Sequence, residues 1–317
     1  MTIVAGHRAA CSFQHDAFIY DSDQDYLATL VPLIDEAHLV GDTVLAVVPR
    51  HNATLLRSAL GDVGGTTEFV DAETWYEHPI ATIAAYEAVL RGIPAGTRAF
   101  VVGEVQFGTH ETDWTSWTRY ESALNAALHR YDARVVCPYD ARVLPARVVA
   151  DARRTHPYLL AASEVSSSDR YVDAPRLFPL LPATVAVPAA TPDVDQLVDR
   201  RLGSARRAFA AVAAAVGFDA ESTGDLTLAV NEVLTNAVTH GGGAARLRVW
   251  SSAPDLTCVV DDAGRGIDDP LIGYAGPSPG SPRGYGTWLA RRLFHRSEFL
   301  RSPAGGLSVL LACRAPG

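Results

Sequence analysis

The chain has little that would suit it to nucleic acid. It carries 36 acidic and 27 basic residues, which gives a formal net charge of -9 at pH 7. No run rich in lysine or arginine interrupts this excess of negative charge. Because the phosphate backbone of nucleic acid attracts basic surfaces, this balance argues against direct nucleic-acid binding as the main function.

Long apolar segments are also missing. No apolar run in the 317 residues is long enough to span a membrane, and the sequence opens with neither an apolar nor an arginine-rich leader. We therefore expect a cytoplasmic protein without a membrane partner.

Cysteine is scarce, and its spacing excludes the common short motifs. The four cysteines are Cys11, Cys137, Cys258 and Cys313, with none of the short spacings typical of metal sites or redox pairs. Two of them fall within apolar, strand-like segments. This pattern favours buried free thiols.

The chain does have enough length and apolar content for two domains. Its first half alternates strand and helix patterns. Strands are predicted to begin at Ala17, Thr43, Thr67, Ala99 and Ala133. Helices are predicted over 24–39, 52–60, 79–91, 114–129 and 146–154. Continuous apolar strands that alternate with helices predict an α/β fold whose parallel, doubly wound sheet is covered on both faces.

The turn after the first strand bears on nucleotide binding in this half. A phosphate loop places glycines, a lysine and a hydroxyl residue at this point. The chain instead has the acidic sequence DSDQD over residues 21–25. Three carboxylates stabilise a helix start but repel phosphate, and Ser22 with Asp25 is typical of a capping box. We expect no nucleotide in this half.

Two stretches have the composition of a connector between domains. Residues 163–169 are rich in serine, and residues 181–192 are rich in alanine and proline, with an edge strand expected at 184–187. Pro192 is then predicted to open a long helix that ends before Gly217. Its first turn would contain Asp193 and Asp195. Its basic face would contain Arg200, Arg201, Arg206 and Arg207. The arginines favour a solvated face over a phosphate-binding patch.

The most informative stretch is DLTLAVNEVLTNAVTH, residues 225–240. Apolar residues recur at helical spacing and form one stripe, made of Leu226, Ala229, Val230, Val233 and Ala237. Glu232 and Asn236 lie four residues apart, so they project side by side along one edge of that stripe. Alone, this pair fits either a pocket or an ordinary solvated helix face.

The residues that follow favour a pocket. The apolar stretch 256–267 ends in DAGRG, and GYGTWLARRLF opens another helix at 284–294. Asp262 can accept a hydrogen bond from the exocyclic amine of adenine. Glycines at 264 and 266 let the backbone approach a ligand closely, and glycines at 284 and 286 free a helix N-terminus for phosphate. The ordered set predicts an ATP site.

These residues resemble the gyrase/histidine-kinase (GHKL, HATPase_c) type of ATPase domain. Within that family, they are most similar to the bacterial anti-sigma factors that are also serine/threonine kinases. Glu232 and Asn236 match the helix motif E-x-x-x-N, and the motifs D-x-G-x-G and G-x-G follow at 262–266 and 284–286. The resemblance implies a Bergerat-type α/β sandwich with a mixed sheet over residues 182–317. Residues 270–283, rich in glycine, proline and serine, take the place of a short ATP lid.

The resemblance also implies roles for single residues. Asn236 is expected to hold Mg²⁺, and Glu232 is expected to be the catalytic base. ATP is expected to be bound by Asn236, Asp262, Gly264, Gly266, Gly284, Tyr285, Gly286 and Thr287. The strand SVLLAC from Ser308 is similar to the family's last core strand. Gly306-Leu307-Ser308 replaces the family's usual Gly-Thr pair, which puts one polar contact to the nucleotide in doubt.

The first half resembles the MEDS sensory domain over residues 1–175, itself similar to a RecA/KaiC-type core that has lost its phosphate loop. The carrying sequences are His15 with AFIYDSDQDY, then AFVVGEVQF and VVCPYD. The resemblance implies a sensor of small molecules. Ligands of parallel sheets collect at the carboxyl ends of strands, so a sensory pocket is predicted from His15, Tyr20, Glu104, Gln106 and Tyr139. Each of these also fits an ordinary buried polar residue with its partner.

The two resemblances together imply a two-domain regulator. Its ATP-binding domain is expected to hold a sigma factor and to phosphorylate a serine or threonine of a STAS-type anti-sigma antagonist. A homodimer is left open. One alternative is a sensor histidine kinase, but the predicted helix before the ATP domain contains no histidine, and His129 and His156 lie before the connector. The other alternative is a nucleotide-gated module that binds a sigma factor without phosphotransfer.

Overall fold

The computed structural model describes residues 13–61, 66–162, 164–277, 284–302 and 305–316. The chain divides into two compact units between Leu177 and Phe178. Cys11 and residues 278–283 of the predicted lid lie outside the described residues. None of the helices in the described part is long and apolar enough to cross a membrane.

The N-terminal unit alternates strands and helices. Its strands are β1 (Phe13–Tyr20), β2 (Thr43–Val48), β3 (Glu68–Asp71), β4 (Ala99–Gly103), β5 (Ala133–Asp140), β6 (Tyr158–Ala161) and β7 (Glu164–Ser167). Its helices are α1 (Asp23–Leu39), α2 (Arg50–Leu60), α3 (Ala72–Trp75), α4 (Pro79–Gly92), α5 (Glu111–Ala127), α6 (Ala146–Thr155) and α7 (Ala174–Leu177). The sheet has the order β3-β2-β4-β5-β1-β6-β7. All of its described pairings are parallel except β6 with β7.

The parallel, doubly wound architecture predicted for this half is confirmed. All five residues of β4 are buried, because both faces of a parallel sheet are covered. One face of β1 packs on α1 and α2, whereas its other face meets α5 and the end of α6. The capping residue is also confirmed, since the Ser22 hydroxyl accepts a hydrogen bond from the amide of Asp25 at 3.2 Å.

The serine-rich stretch 163–169 is not simply a connector. Its residues Glu164–Ser167 form β7, which pairs with β6 as an antiparallel edge hairpin. All four side chains of β7 are exposed. A strand without a buried face has no apolar alternation, so the sequence carried no signal for it.

The C-terminal unit is a sheet with helices on one face. Its strands are β8 (Val194–Val198), β9 (Ala245–Ser252), β10 (Asp255–Asp262), β11 (Arg296–Arg301) and β12 (Leu307–Arg314). Its helices are α8 (Gly203–Val216), α9 (Ala220–His240) and α10 (Tyr285–Leu293). The strand order is β11-β12-β10-β9-β8. The predicted α/β sandwich is confirmed, but the expectation of a mixed sheet is wrong for the described pairings, which are all antiparallel.

The predicted long helix from Pro192 is wrong in its first half. Residues 194–198 form β8, in which Val194 pairs with Val249 of β9 and exposed residues alternate with less exposed ones. Asp195, taken for an acidic first turn, instead accepts two hydrogen bonds from Arg246. The helix α8 begins only at Gly203 and ends before Gly217, whose φ of 115° provides the left-handed cap.

The predicted edge strand at 184–187 is absent from the described residues, where this segment covers the second face of the sheet. Val185 is buried against Trp250, Val259 and Leu310. The amide and hydroxyl of Thr184 both donate hydrogen bonds to Glu298 Oε1, at 2.6 and 2.7 Å. The connector therefore forms part of the C-terminal unit's packing.

Candidate functional site

Glu232 and Asn236 lie on the edge of α9 that faces α10. Both side chains are half-buried. A Cβ added at Gly286 would lie 2.8 Å from Glu232 Cβ and 3.2 Å from Asn236 Nδ2. The first distance is too short for a real Cβ and the second is tight, so glycine at 286 lets the first turn of α10 pack directly on these two side chains.

Asp262 ends β10 with an oriented carboxylate. Its Oδ1 accepts hydrogen bonds from the amides of Gly264 at 2.8 Å and Leu307 at 3.1 Å. Among the described residues, no hydrogen bond reaches Oδ2. One carboxylate oxygen thus fixes the side chain, and the other remains able to accept a hydrogen bond from a ligand.

Three glycines crowd around Asp262. A Cβ at Gly241 would lie 2.4 Å from Asp262 Cβ, and one at Gly306 would lie 2.0 Å from the Asp262 carbonyl oxygen. A Cβ at Gly264 would lie 2.8 Å from Gly241 Cα. Glycine is therefore required at 264 because this residue packs closely against the end of α9. The sequence pattern instead predicts a close approach to a ligand. Gly266 has a separate reason, a positive φ of 77°.

A cavity of about 720 Å³ opens between α9, β10, β12 and the start of α10. Its volume lies within the range of small-molecule and cofactor sites. Most of its wall is apolar, and the predicted residues within its lining are Asn236, Asp262, Gly264, Gly266, Gly284 and Thr287. The structure therefore brings six of the predicted residues to one pocket.

Three other predicted residues lie beside this cavity. Glu232 and Gly286 form the contact between α9 and α10. Tyr285 is 51% exposed, and its ring lies 5.5 Å from that of Trp288. Gly284 caps α10 with a φ of 87°, which leaves the first backbone N–H groups of the helix free for an anion.

Arg291 fixes the beginning of the predicted lid, a role that no sequence pattern indicated. Its side chain is buried and donates from Nε to the carbonyl oxygen of Ile272 at 2.7 Å. Its guanidinium lies 4.5 Å from the ring centre of Tyr274 and 4.3 Å from that of Phe299. Ile272 and Phe299 also line the cavity, so Arg291 positions part of its wall.

The last strand supplies an apolar contact where a hydroxyl was expected. Leu307 lines the cavity. Ser308 is buried, and its hydroxyl donates to Asp261 instead. Because successive strand residues point to opposite faces, the serine does not replace the missing threonine.

The predicted sensory pocket of the N-terminal unit divides into two groups on opposite faces of the sheet. Tyr20 and Glu104 lie together at the carboxyl ends of their strands, where the Tyr20 hydroxyl donates to Glu104 Oε1 at 3.0 Å. Asn52, which the sequence did not indicate, donates to Glu104 Oε2 at 2.7 Å. Gln106 donates to the Glu104 carbonyl oxygen at 3.4 Å.

His15 and Tyr139 belong to the other face, so the prediction of one converging pocket is wrong. His15 Nε2 lies 3.2 Å from Cys137 Sγ and 3.3 Å from Glu121 Oε2. The ring of His156 lies 3.9 Å from that of His15 and 5.7 Å from that of Tyr139. Residues 15 and 20 differ by an odd number, and strand alternation therefore places them on opposite faces.

Burial and neighbouring side chains shift the pKa values of this second group. Burial is the main cause that lowers the pKa of His15, and the charge of the neighbouring His156 lowers it further. Burial, followed by the charge of Glu121, raises the pKa of the Cys137 thiol. Burial opposes ionisation of Glu121, but hydrogen bonds and charge from His15 and His156 in their protonated forms outweigh burial and lower its pKa.

Glu104 links the stability of the N-terminal unit to pH. Burial raises its pKa to about 7, although hydrogen bonds from Asn52 and Tyr20 act in the opposite direction. Its ordinary pKa is 4.5, so between these values the folded state binds more protons than the unfolded state. The unfolding free energy therefore falls as pH rises through this window.

We expect Glu104→Gln to remove this pH dependence, because the amide cannot ionise. Between pH 5 and pH 8, the wild-type unfolding free energy should fall by up to about 3 kcal/mol on this account. Urea unfolding of the N-terminal unit across this range measures the difference. Glu77→Gln, at an exposed position of the same unit, is the control. An unchanged pH profile in Glu104→Gln contradicts the prediction.

Two family models match the chain. The MEDS model, a methanogen/methylotroph, DcmR sensory domain, matches residues 14–157. The model of the histidine kinase-like ATPase domain matches residues 197–312, which include the cavity and the motifs around Glu232, Asp262 and Gly284. No curated protein matches the chain. The chain therefore joins an N-terminal MEDS sensory domain to a C-terminal histidine kinase-like ATPase domain.

Proposed function

We propose that this protein is an ATP-dependent anti-sigma regulator. Its C-terminal domain binds Mg-ATP, holds a sigma factor and phosphorylates a serine or threonine of a STAS-type antagonist, and the MEDS domain gates this activity in response to a small molecule. The observation that carries the proposal is the oriented Asp262 carboxylate in one cavity with Asn236 and the N-terminus of α10.

The residues present fit an adenine nucleotide. Asp262 Oδ2 is able to accept from the exocyclic amine of adenine, while Oδ1 remains bound to two backbone amides. The apolar wall formed by Ile272, Phe299 and Leu307 suits a flat base. The N-terminus of α10 suits the phosphates, and Asn236 supplies an oxygen ligand for Mg²⁺. ATP provides the phosphoryl group for transfer.

Asp262→Asn should abolish the preference for ATP over GTP. The variant keeps an oxygen for the amides of Gly264 and Leu307 but presents an NH₂ group where the adenine amine needs an acceptor. Loss of a hydrogen bond to a charged group costs about 1.5–3 kcal/mol, so ATP affinity should fall roughly 10- to 150-fold. Calorimetric titration with ATP and with GTP measures both affinities.

The control for this variant is Asp261→Asn. Asp261 lies on the other face of β10, where Arg248 and Ser308 donate to it. The control should keep the wild-type preference. Equal affinities of the wild-type protein for ATP and GTP would rule out Asp262 as the adenine-selecting residue.

The structure bears on the histidine-kinase alternative. His156 is fully buried, and His129 lies in the turn after α5 with its Nδ1 2.7 Å from the carbonyl oxygen of Ala126. α8, which precedes the ATP site, contains no histidine. Capture of partners from the native cytoplasm, with and without ATP, tests the proposal. A sigma factor supports the anti-sigma function, and a response regulator supports a histidine kinase.

A second candidate function is a nucleotide-gated binding module without phosphotransfer. Two observations favour it: Glu232 lies beside the cavity rather than in its lining, and Leu307 is apolar where a polar contact is expected. Both functions require ATP binding, and they differ in whether phosphate reaches the antagonist.

A further inference from the structure

Four side chains with metal-ligating atoms meet inside the MEDS domain. They come from four elements: His15 from β1, Glu121 from α5, Cys137 from β5 and His156 from the end of α6. All four residues are buried, and one ligating atom from each lies within 4.8 Å of the others. No second group of this kind is found in the described part of the chain. We call these four residues the His-Glu-Cys-His cluster.

The separations within the cluster match a tetrahedral metal site. Metal–ligand bonds of the lengths found for zinc place tetrahedral ligand atoms about 3.3–3.8 Å apart. His15 Nε2 lies 3.2 Å from Cys137 Sγ and 3.3 Å from Glu121 Oε2. Glu121 Oε2 lies 3.5 Å from His156 Nε2 and 3.7 Å from Cys137 Sγ. Three of these four distances lie within this range and the fourth is 0.1 Å shorter, while the other two edges are no longer than 4.8 Å.

Asn125 orients His15 toward the cluster. The Asn125 amide nitrogen donates to the carbonyl oxygens of Ser122 at 3.3 Å and Thr155 at 2.8 Å. Its oxygen is therefore the atom that lies 3.2 Å from His15 Nδ1. Since this oxygen only accepts, Nδ1 carries the proton, and Nε2 presents a lone pair to the cluster.

A backbone carbonyl orients His156 in the same way. His156 Nδ1 lies 2.9 Å from the carbonyl oxygen of Ala152, which can only accept. The Thr155 hydroxyl, also 2.9 Å from Nδ1, donates its proton to the carbonyl oxygens of Asp151 and Ala152 and therefore accepts from Nδ1 as well. The proton is therefore on Nδ1, and Nε2 again presents its lone pair. Metal-ligating histidines commonly donate their other ring N–H to a carbonyl or amide oxygen, which fixes the tautomer and the ring orientation.

The cluster consequently holds more acceptors than donors. Two imidazole lone pairs and a carboxylate face each other, and the Cys137 thiol is the only proton donor of the four side chains that faces them. His156 Nε2 and Glu121 Oε1 are buried without a hydrogen-bond partner in the described residues. Unsatisfied buried acceptors are costly. Either an additional proton or a cation at the centre relieves this cost.

We propose that the His-Glu-Cys-His cluster is a binding site for a divalent transition-metal ion of the zinc class. Two imidazole nitrogens, one thiolate and one carboxylate suit Zn²⁺ or Co²⁺, whereas Mg²⁺ and Ca²⁺ prefer oxygen ligands. On binding, Cys137 loses its proton to solvent. The thiolate and the carboxylate then balance the two positive charges of the ion, so the buried site has no net charge.

The site would join elements that are distant in sequence. The ion would bind the strands β1 and β5 to α5 and to the end of α6, on the face opposite the Tyr20–Glu104 group. Removal of the metal should therefore loosen the packing of α5 and α6 against the sheet. If the cluster holds an additional proton instead of a metal ion, a chelator should not loosen this packing.

Metal analysis of the full chain, purified without a histidine tag, tests the proposal. We expect one equivalent of Zn²⁺ per chain, and its removal by chelator should lower the thermal midpoint of the MEDS domain. Reconstitution with Co²⁺ should give a thiolate-to-cobalt charge-transfer band and tetrahedral d–d bands that saturate at one equivalent. Absence of metal binding, or binding without the thiolate band, overturns the proposal.

Cys137→Ser assigns the band to this cluster, because the serine hydroxyl is a poor ligand for these ions. The variant should lose the charge-transfer band and bind the metal at least about 10-fold more weakly. Cys258→Ser, which alters a buried thiol of the other domain, should keep both. Retention of the band in Cys137→Ser contradicts the proposal. If circular dichroism shows that this variant does not fold, the Co²⁺ titration of the wild-type chain, with its spectrum and one-equivalent end point, still tests the proposal.

Discussion

Replacing Glu232 with glutamine is expected to slow phosphoryl transfer to the antagonist by about 10²–10⁴-fold, the usual contribution of a general base. ATP affinity should stay close to that of the wild type. Glu232 contacts Gly286 at the α9–α10 interface and is not part of the cavity lining. Glutamine preserves that packing and removes only the ability to accept a proton.

Transfer of labelled phosphate from ATP to a purified antagonist measures this rate, and calorimetry measures ATP affinity in the same variant. Glu221→Gln, at an exposed position in the first turn of the same helix, is the matched control. In cells, Glu232→Gln should leave the antagonist unphosphorylated, and the sigma factor should stay active.

Two results would change the proposed function in different ways. If the wild-type protein transfers no phosphate to any antagonist, it is a nucleotide-gated binding module. If Glu232→Gln transfers phosphate at the wild-type rate, the kinase activity stands, and another group accepts the proton. ATP binding is expected in both cases, because Asp262 and the cavity lining are unchanged.

The arrangement of residues around the candidate ATP site could largely be predicted because its signals are local. Glu232 and Asn236 share one edge of a single helix, so their spacing alone places them together. Each glycine motif directly follows a strand or opens a helix. The physical reason for a glycine was harder to predict. Gly264 is required by its contact with the end of α9, which is formed by residues 20 or more positions earlier in the chain.

Local signals also misled where two structures compete for the same residues. Pro192 followed by Asp193 and Asp195 is typical of a helix start. The alternating exposure over Val194–Val198 and the pairing of Asp195 with Arg246 show that a strand forms there instead. Strand pairing depends on a partner about 50 residues away, which a helix-start pattern does not reveal.

The His-Glu-Cys-His cluster could not be predicted from spacing, because its members come from four elements between residues 15 and 156. Glu121 looks like an ordinary helix residue, and Cys137 alone looks like a buried thiol. One signal was present. His15, Cys137 and Tyr139 lie on one face because they alternate along two adjacent strands, whereas Tyr20 belongs to the opposite face.

The crowded junction between α9 and β10 makes Gly241→Ala a disruptive single-methyl change beside the candidate ATP site. Gly241 has a φ of -98°, so alanine meets no backbone strain there. The added Cβ would nevertheless lie 2.2 Å from the Ala237 carbonyl oxygen and 2.5 Å from Asp262 Cγ. Neither neighbour is the mobile end of a long side chain, and Asp262 must therefore move.

Displacement of Asp262 should lower ATP affinity by about 100-fold, and the overpacked junction should cost about 1–3 kcal/mol of unfolding free energy. Gly224→Ala is the matched control, since Gly224 lies in the same helix with nothing within 4 Å of its added Cβ. That change should stabilise the domain by about 0.5–1 kcal/mol and leave ATP affinity unchanged. Titration with ATP and thermal unfolding of both variants separate the two effects. Wild-type ATP affinity in Gly241→Ala would show that the position of the Asp262 carboxylate does not govern nucleotide binding.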